Sequence, residues 1–245
     1  MNDAIPQLPA RPDNCGGRRR TSSIRYLVFH YTANDGDSAL ANARYFAQNR
    51  VGASAHYFVD DGGAVQSAAD DVIAWAVGGP PWADCAATGG GKLYGQCTNA
   101  NSLSVELCDT RADGRYGFSE ATLENAAALG RRLMKMYGIP PERAVRHFDV
   151  NGKHCPGAPG WWGAEDGAWR AFKERLEDDM TGEEIYQKLC AYLEAQPCPD
   201  WAKSALAEAV ALGVTDGTRP MAPVPRYQAA LMAAKAVKLA GEVKK

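Results

Sequence analysis

The run IRYLVFHYT, Ile24 to Thr32, is nearly continuous in apolar, β-branched and aromatic residues. A strand covered on both faces reads as an unbroken apolar run rather than an alternating one, so this stretch predicts a buried central strand. His30 stands near its C-terminal end, where polar sites gather in open α/β sheets. Taken alone, the same histidine reads first as a satisfied core residue.

Working outward, Asp37 to Arg50 predicts a helix. Asp37 or Ser38 caps it, and Leu40, Ala43, Phe46 and Ala47 form its apolar face. His56–Asp60, Asp61-Gly62-Gly63 and Ala64–Ser67 predict a hairpin, and VIAWAV, Val72 to Val77, a further short strand. Gly78 to Asn101 is a long loop with six glycines. Loops of that length in compact domains tend to be functional, and Trp82 and Tyr94 suit a substrate rim, whereas a structural Ω-loop is the plainer reading. Asn101 to Asp109 alternates, with Leu103, Val105 and Leu107 on one face and Ser102, Ser104, Glu106 and Cys108 on the other. That is a strand with a carboxylate at its centre. Ser119 to Tyr137 is the clearest helix, with a polar first turn, Gly138 as its stop and Ala126, Leu129, Leu133 and Met136 as its packed face. Ala144 to Arg146 predicts a short strand, and Ala164 to Asp179 a closing helix with Trp169, Phe172 and Leu176 inward. From Thr181 onward three helical patterns follow without a strand, which places a boundary near residue 180. Residues 1–22, rich in Pro, Gly and Arg, read as an irregular lead-in.

The 245 residues are 46% hydrophobic and 23% charged, ordinary globular values, and the net charge of −2 offers no basic field for nucleic acid. The Arg18–Arg20 triplet reads as a solvated segment. No run approaches the ~18 apolar residues of a membrane span, and the N-terminal stretch lacks the apolar core of a signal peptide. Synthesis in the cytoplasm is therefore expected, with release or export needed for any action outside. Seven cysteines are many for such a chain, and the close pairs Cys85/Cys97 and Cys190/Cys198 are open to bridging only in an oxidising compartment.

RHFDVNGKHCPG, Arg146 to Gly157, concentrates the chemistry: two of the four histidines of the chain, one cysteine, one lysine and one aspartate. Histidine nitrogen and cysteine thiolate are zinc donors, and a catalytic zinc keeps three protein ligands and one open position. His147 and Cys155 supply two. A third must come from elsewhere: His30, at a strand end, is the best placed, and His56 is the competitor. Hydrolysis then needs a base for the water proton and a donor for the oxyanion, and Glu106 and Lys153 are the candidates.

Four segments together, YLVFHYTAN, SAHYFVDDGGAVQ, NANSLSVELCD and RHFDVNGKHCPG, resemble the zinc-dependent N-acetylmuramoyl-L-alanine amidases of the type-2 family, related to peptidoglycan recognition proteins and most similar to phage or prophage endolysins and bacterial autolysins. The likeness covers about residues 13–178. It implies an α/β fold with a mixed central sheet flanked by helices over residues 23–179. It implies Zn2+ held by His30, His147 and Cys155, Glu106 as general base and Lys153 as transition-state stabiliser. His56, Trp75, Asn101, Trp82 and Tyr94 become substrate-binding or supporting residues, and His154 a bystander. The substrate implied is peptidoglycan, cut between the lactyl group of N-acetylmuramic acid and L-alanine.

Two departures stand out. Where relatives carry Trp-His-Ala-Gly this chain has Trp75-Ala76-Val77-Gly78, and where some carry a tyrosine before the hairpin histidine it has Ala55. Catalysis is thereby expected to rest on Glu106. Residues 198–238, with Trp201, Gly213, Asp216-Gly217-Thr218, Pro220 and Arg226, resemble a single S-layer-homology unit, which implies wall binding or self-association, including a homodimer, for the helical segment 180–245. A peptidoglycan-binding module of the same fold without hydrolysis is the alternative function. Relatives that lose catalysis typically lose the cysteine, which is present here.

Overall fold

The computed structural model describes residues 4–177, 182–224 and 226–242. It divides into two units, Met1–Asp179 and Met180–Lys245. The expected boundary near residue 180 and the last two residues of the expected closing helix lie outside the described residues.

The first unit contains the strands β1 (Cys15–Arg18), β2 (Tyr26–Asp35), β3 (Tyr57–Asp60), β4 (Gly63–Gln66), β5 (Val72–Ala74), β6 (Ser102–Asp109) and β7 (Ala144–Arg146). Its helices are α1 (Ala39–Gln48), α2 (Cys85–Thr88), α3 (Glu120–Tyr137), α4 (His147–Asn151) and α5 (Gly167–Glu177). The main sheet has the order β4-β3-β6-β2-β7. β2 runs parallel to both β6 and β7, β3 is parallel to β6, and only the β3–β4 hairpin is antiparallel. This is the α/β fold with a mixed central sheet and flanking helices that the sequence implies.

Side chains alternate across a strand, so β2 and β6 each present two faces. Leu27 and Phe29 of β2 join Leu103, Val105 and Leu107 of β6 in the larger core, closed by α3 and by Trp169, Phe172 and Leu176 of α5. Gly130 lets α3 meet α5 closely, since a Cβ there would lie 2.6 Å from Leu176 Cδ2. The opposite face carries Val28, His30, Ser104 and Glu106, and a smaller cluster of Val28, Val77, Cys97, Val145 and Val150 covers its lower part. The long helix begins and ends as its caps predict. Ser119 Oγ accepts the Thr122 N–H, and Gly138 takes a left-handed φ of 62°.

Several expectations are corrected. Residues 1–22 are not irregular throughout, because β1 pairs antiparallel with β5. Gly16 permits this, since a Cβ there would lie only 3.0 Å from Trp75 Nε1. The predicted strand Val72–Val77 ends at Ala74. The long loop contains α2, and the His147 loop begins as the helix α4. On α1, Leu40 is exposed and Asn42 is buried instead. The Asn42 amide donates to the Asp37 carboxylate and the Ser38 carbonyl, and these bonds turn it inward. On α3, Met136 is exposed and Met134 takes the core position. The pairs Cys85/Cys97 and Cys190/Cys198, left open by the sequence, are not bridged in this structure.

The second unit comprises α6 (Gly182–Glu194), α7 (Lys203–Ala211) and α8 (Arg226–Glu242). Gly213, two residues beyond α7, has a φ of 71°. Among the described residues no helix is long and apolar enough to cross a membrane.

Candidate active site and metal centre

Parallel pairing places the site. In the β2–β6 ladder His30 lies opposite Glu106, and in the β2–β7 ladder Phe29 lies opposite Arg146. His147 follows directly as the first residue of α4. Gly152, at a φ of 85°, then reverses the chain, and the Phe148 N–H donates to the Cys155 carbonyl at 2.9 Å. The cysteine is thus returned beside the first strand. Donor atoms of His30, His147 and Cys155 all lie within 4.8 Å of one another. Cys155 Sγ is 3.7 Å from His30 Nδ1, and Glu106 Oε1 is 4.0 Å from the same nitrogen.

Arg146 holds this turn in place. It is buried, and its guanidinium donates to both Asp149 oxygens and to the Trp161 carbonyl while lying over the Phe148 and Trp169 rings. The Arg146 N–H also donates to Asp149 Oδ2, which closes the first turn of α4.

The donor set could hold a metal ion. His30 Nε2, both His147 ring nitrogens and Glu106 Oε2 are buried without a hydrogen-bond partner. Each such group costs about 1–3 kcal/mol unless something else satisfies it. Burial, helped by neighbouring His147 and Lys153, holds His30 well below the usual histidine range. Burial, with Lys153 adding to it, takes His147 down to about 3. The same desolvation raises the Cys155 thiol and takes Glu106 up to about 8, against the pull of Lys153. Neutral imidazoles can donate their lone pairs to a divalent metal, and a buried thiol that stays protonated on its own gives up its proton when a metal binds. A His2Cys set fits zinc rather than the oxygen-seeking magnesium or calcium, and leaves a fourth position open.

Two cavities meet at Lys153. One of about 690 Å3 is lined by Tyr31, Asn34, Asp37, Tyr45, Glu106 and Lys153. The other, of about 420 Å3, is lined by Trp75, Pro80, Trp82, His147, Asn151 and Lys153. Trp75 and Trp82 are thus brought to the cleft. Tyr94 is exposed and lines neither cavity. Asn101 stands at the opposite end of β6, five residues and about 16 Å before Glu106. Its side chain accepts the Thr98 N–H at 2.8 Å and donates to the Gln96 carbonyl at 2.9 Å, so it closes a turn instead of facing the cleft. His154 offers no ligand atom to the metal cluster. Its Nε2 bonds Asp84 Oδ2 at 2.8 Å, and its ring stacks on Trp162.

His56 is a satisfied core residue, not a wall of the cleft. Its Nδ1 accepts the Ser104 N–H at 3.0 Å, and its Nε2 lies 2.8 Å from the Arg19 guanidinium and 3.1 Å from the Val72 carbonyl. Burial and Arg19 take its pKa down to about 3. In the unfolded chain it protonates near 6.5, so between that pH and about 3 the unfolded state binds the extra proton. Stability from this group is full at neutral pH and falls on acidification, by up to about 1.4 kcal/mol per pH unit. The melting-temperature gap between the wild type and His56→Gln is therefore expected to narrow from pH 7 to pH 4. A gap of constant size across that range would contradict this assignment.

Sequence reasoning missed Arg146 and Asp84. The first looks like any residue of a basic dipeptide. The second is 70 positions from its partner, and no local spacing links them.

A family model described as Amidase_2, N-acetylmuramoyl-L-alanine amidase, matches residues 20–158. A probable N-acetylmuramoyl-L-alanine amidase of Bacillus licheniformis is 34% identical over 172 residues, 66% of this chain and 44% of the relative. The amidase CwlL of the same organism is 32% identical over 178 residues, 69% of this chain and 45% of the relative. The chain thus spans a little under half the length of these curated relatives. Among solved structures, PlyL aligns with a TM-score of 0.57 at 27% identity, over 73% of this chain and 100% of that one. A mutant endolysin from Bacillus subtilis aligns with a TM-score of 0.53 at 27% identity, over 71% and 98%.

Proposed function

The chain belongs to the Amidase_2 family of N-acetylmuramoyl-L-alanine amidases, and from that premise we propose that it hydrolyses the amide between N-acetylmuramic acid and the L-alanine of the peptidoglycan stem peptide, as a zinc enzyme. The observation that carries this reading is the convergence of His30, His147 and Cys155 beside Glu106, with buried donor atoms left unpaired.

His30, His147 and Cys155 would hold Zn2+, which supplies Lewis acidity toward the amide carbonyl and lowers the pKa of water toward about 7. Glu106 takes the proton of the attacking water and passes it to the departing L-alanine nitrogen. Lys153 works against burial to favour the ionised carboxylate that a base requires. Its ammonium, at the junction of the two cavities, donates to the carbonyl oxygen as negative charge gathers there. Trp75 and Trp82 present apolar faces in one cavity, and the polar Asn34, Asp37 and Tyr45 line the other. The substrate lies across both, with the scissile amide at Lys153.

Digestion of purified peptidoglycan with the protein, followed by mass spectrometry, is expected to yield stem peptides with free L-alanine N-termini. New reducing ends in place of those termini would mean a glycosidase and overturn the proposal.

A further inference from the structure

We propose that the turn Trp82–Cys85 of the long loop is a brace that positions Lys153, and that Asp84 and His154 act on the hydrolysis through that lysine. The inference rests on the reaction proposed above, and its test separates the two.

Lys153 is exposed and borders both cavities, and among the described residues its ammonium makes no ion pair. Its direction is therefore set by its backbone. On the N-terminal side, the Trp82 N–H donates to the Asn151 carbonyl at 2.8 Å, and Cys85 Sγ lies 3.5 Å from the same oxygen. Gly152 turns at a φ of 85° directly against the Cys85 sulfur and Trp82 Cβ, in space that a side chain of its own would need. On the C-terminal side, His154 Nε2 bonds Asp84 Oδ2 at 2.8 Å. The His154 ring stacks on Trp162 at 3.8 Å and 9°, and lies 5.0 Å from Trp82. One four-residue turn thus grips the residues on both sides of Lys153. The lysine's own backbone is held as well. Its N–H donates to Asn151 Oδ1 at 3.1 Å, and its carbonyl accepts the Cys155 N–H at 2.6 Å.

A lysine side chain is flexible, so a fixed Cα and Cβ are what limit where its ammonium can go. Misplacement by about 1 Å can cost about 100-fold in rate. Asp84→Ala removes one link and leaves the stack, and His154→Ala removes both. Each is expected to lower kcat by about 10- to 100-fold, with KM little changed and metal content unchanged. In a Lys153→Ala background the same replacements should cost nothing further, because the residue they position is gone. A second reading needs no catalysis. Acylation of Lys153 by an N-hydroxysuccinimide ester, followed by mass spectrometry of the folded full-length protein, should change several-fold in Asp84→Ala. Unchanged acylation, or equal losses of rate with and without Lys153, overturns the brace. Altered acylation in a protein that cleaves no peptidoglycan amide leaves the brace standing and removes the reaction. Should His154→Ala fail to fold, Asp84→Ala decides alone.

Discussion

Cys155→Ala is expected to empty the metal site and abolish wall hydrolysis while the domain stays folded. Metal analysis should fall from about one zinc per chain to a small fraction. The reason lies in the donor set. Only His30, His147 and Cys155 converge among the described residues, and a cleft with two imidazoles keeps no third soft donor. Loss of an outer partner of a ligand already costs about 10- to 100-fold in affinity, and loss of the ligand itself should exceed that. The thiol is also the one group of the three able to bring negative charge to the metal, since both histidines are held neutral by burial. Folding should survive. The change removes a single sulfur from a residue whose backbone is fixed by the Phe148 and Lys153 hydrogen bonds. A variant with one tightly bound zinc and normal hydrolysis would sink the assignment of Cys155.

The elements that were legible in the sequence are those whose signal is local. The unbroken run of β2 and the alternation of β6 follow from which faces are covered; β6 forms within one residue of the expected span, and β2 begins two residues later and runs three residues further. The caps of α3 sit at Ser119 and Gly138 because their chemistry is local as well. The His147–Cys155 spacing announced two ligands. The residues themselves favour His30 over His56 as the third only through its place at a strand end, because a parallel ladder joins positions 76 apart and spacing does not show which strand lies next to which. Structure separates the two histidines by their partners: His56 has partners at both nitrogens, whereas His30 keeps Nε2 free. The strand β1 was illegible because two of its four residues are glycines, and Asn101 was misread because a turn-closing amide and a cleft amide look alike in sequence.

Glu106→Gln is expected to lower kcat by about 100- to 10,000-fold with zinc retained. The carboxamide keeps the shape of the side chain in its place on β6, opposite His30, but has no lone pair basic enough to take a proton from water. Among the described residues that line the same cavity Asp37 is the other carboxylate; its Oδ2 is bonded by the Asn34 and Asn42 amides and its Oδ1 is unpartnered, so Asp37→Asn is the control for the Glu106 assignment. Ionisation of Glu106 is also what an acidic limb of the rate profile should report. Burial pushes its pKa up, and Lys153 pulls it back. Lys153→Ala should therefore move that limb to higher pH as well as lower the rate, and the limb should vanish in Glu106→Gln. Rates near wild type in Glu106→Gln, or an acidic limb that persists unmoved, would take the base role away from this residue and assign the proton to another group.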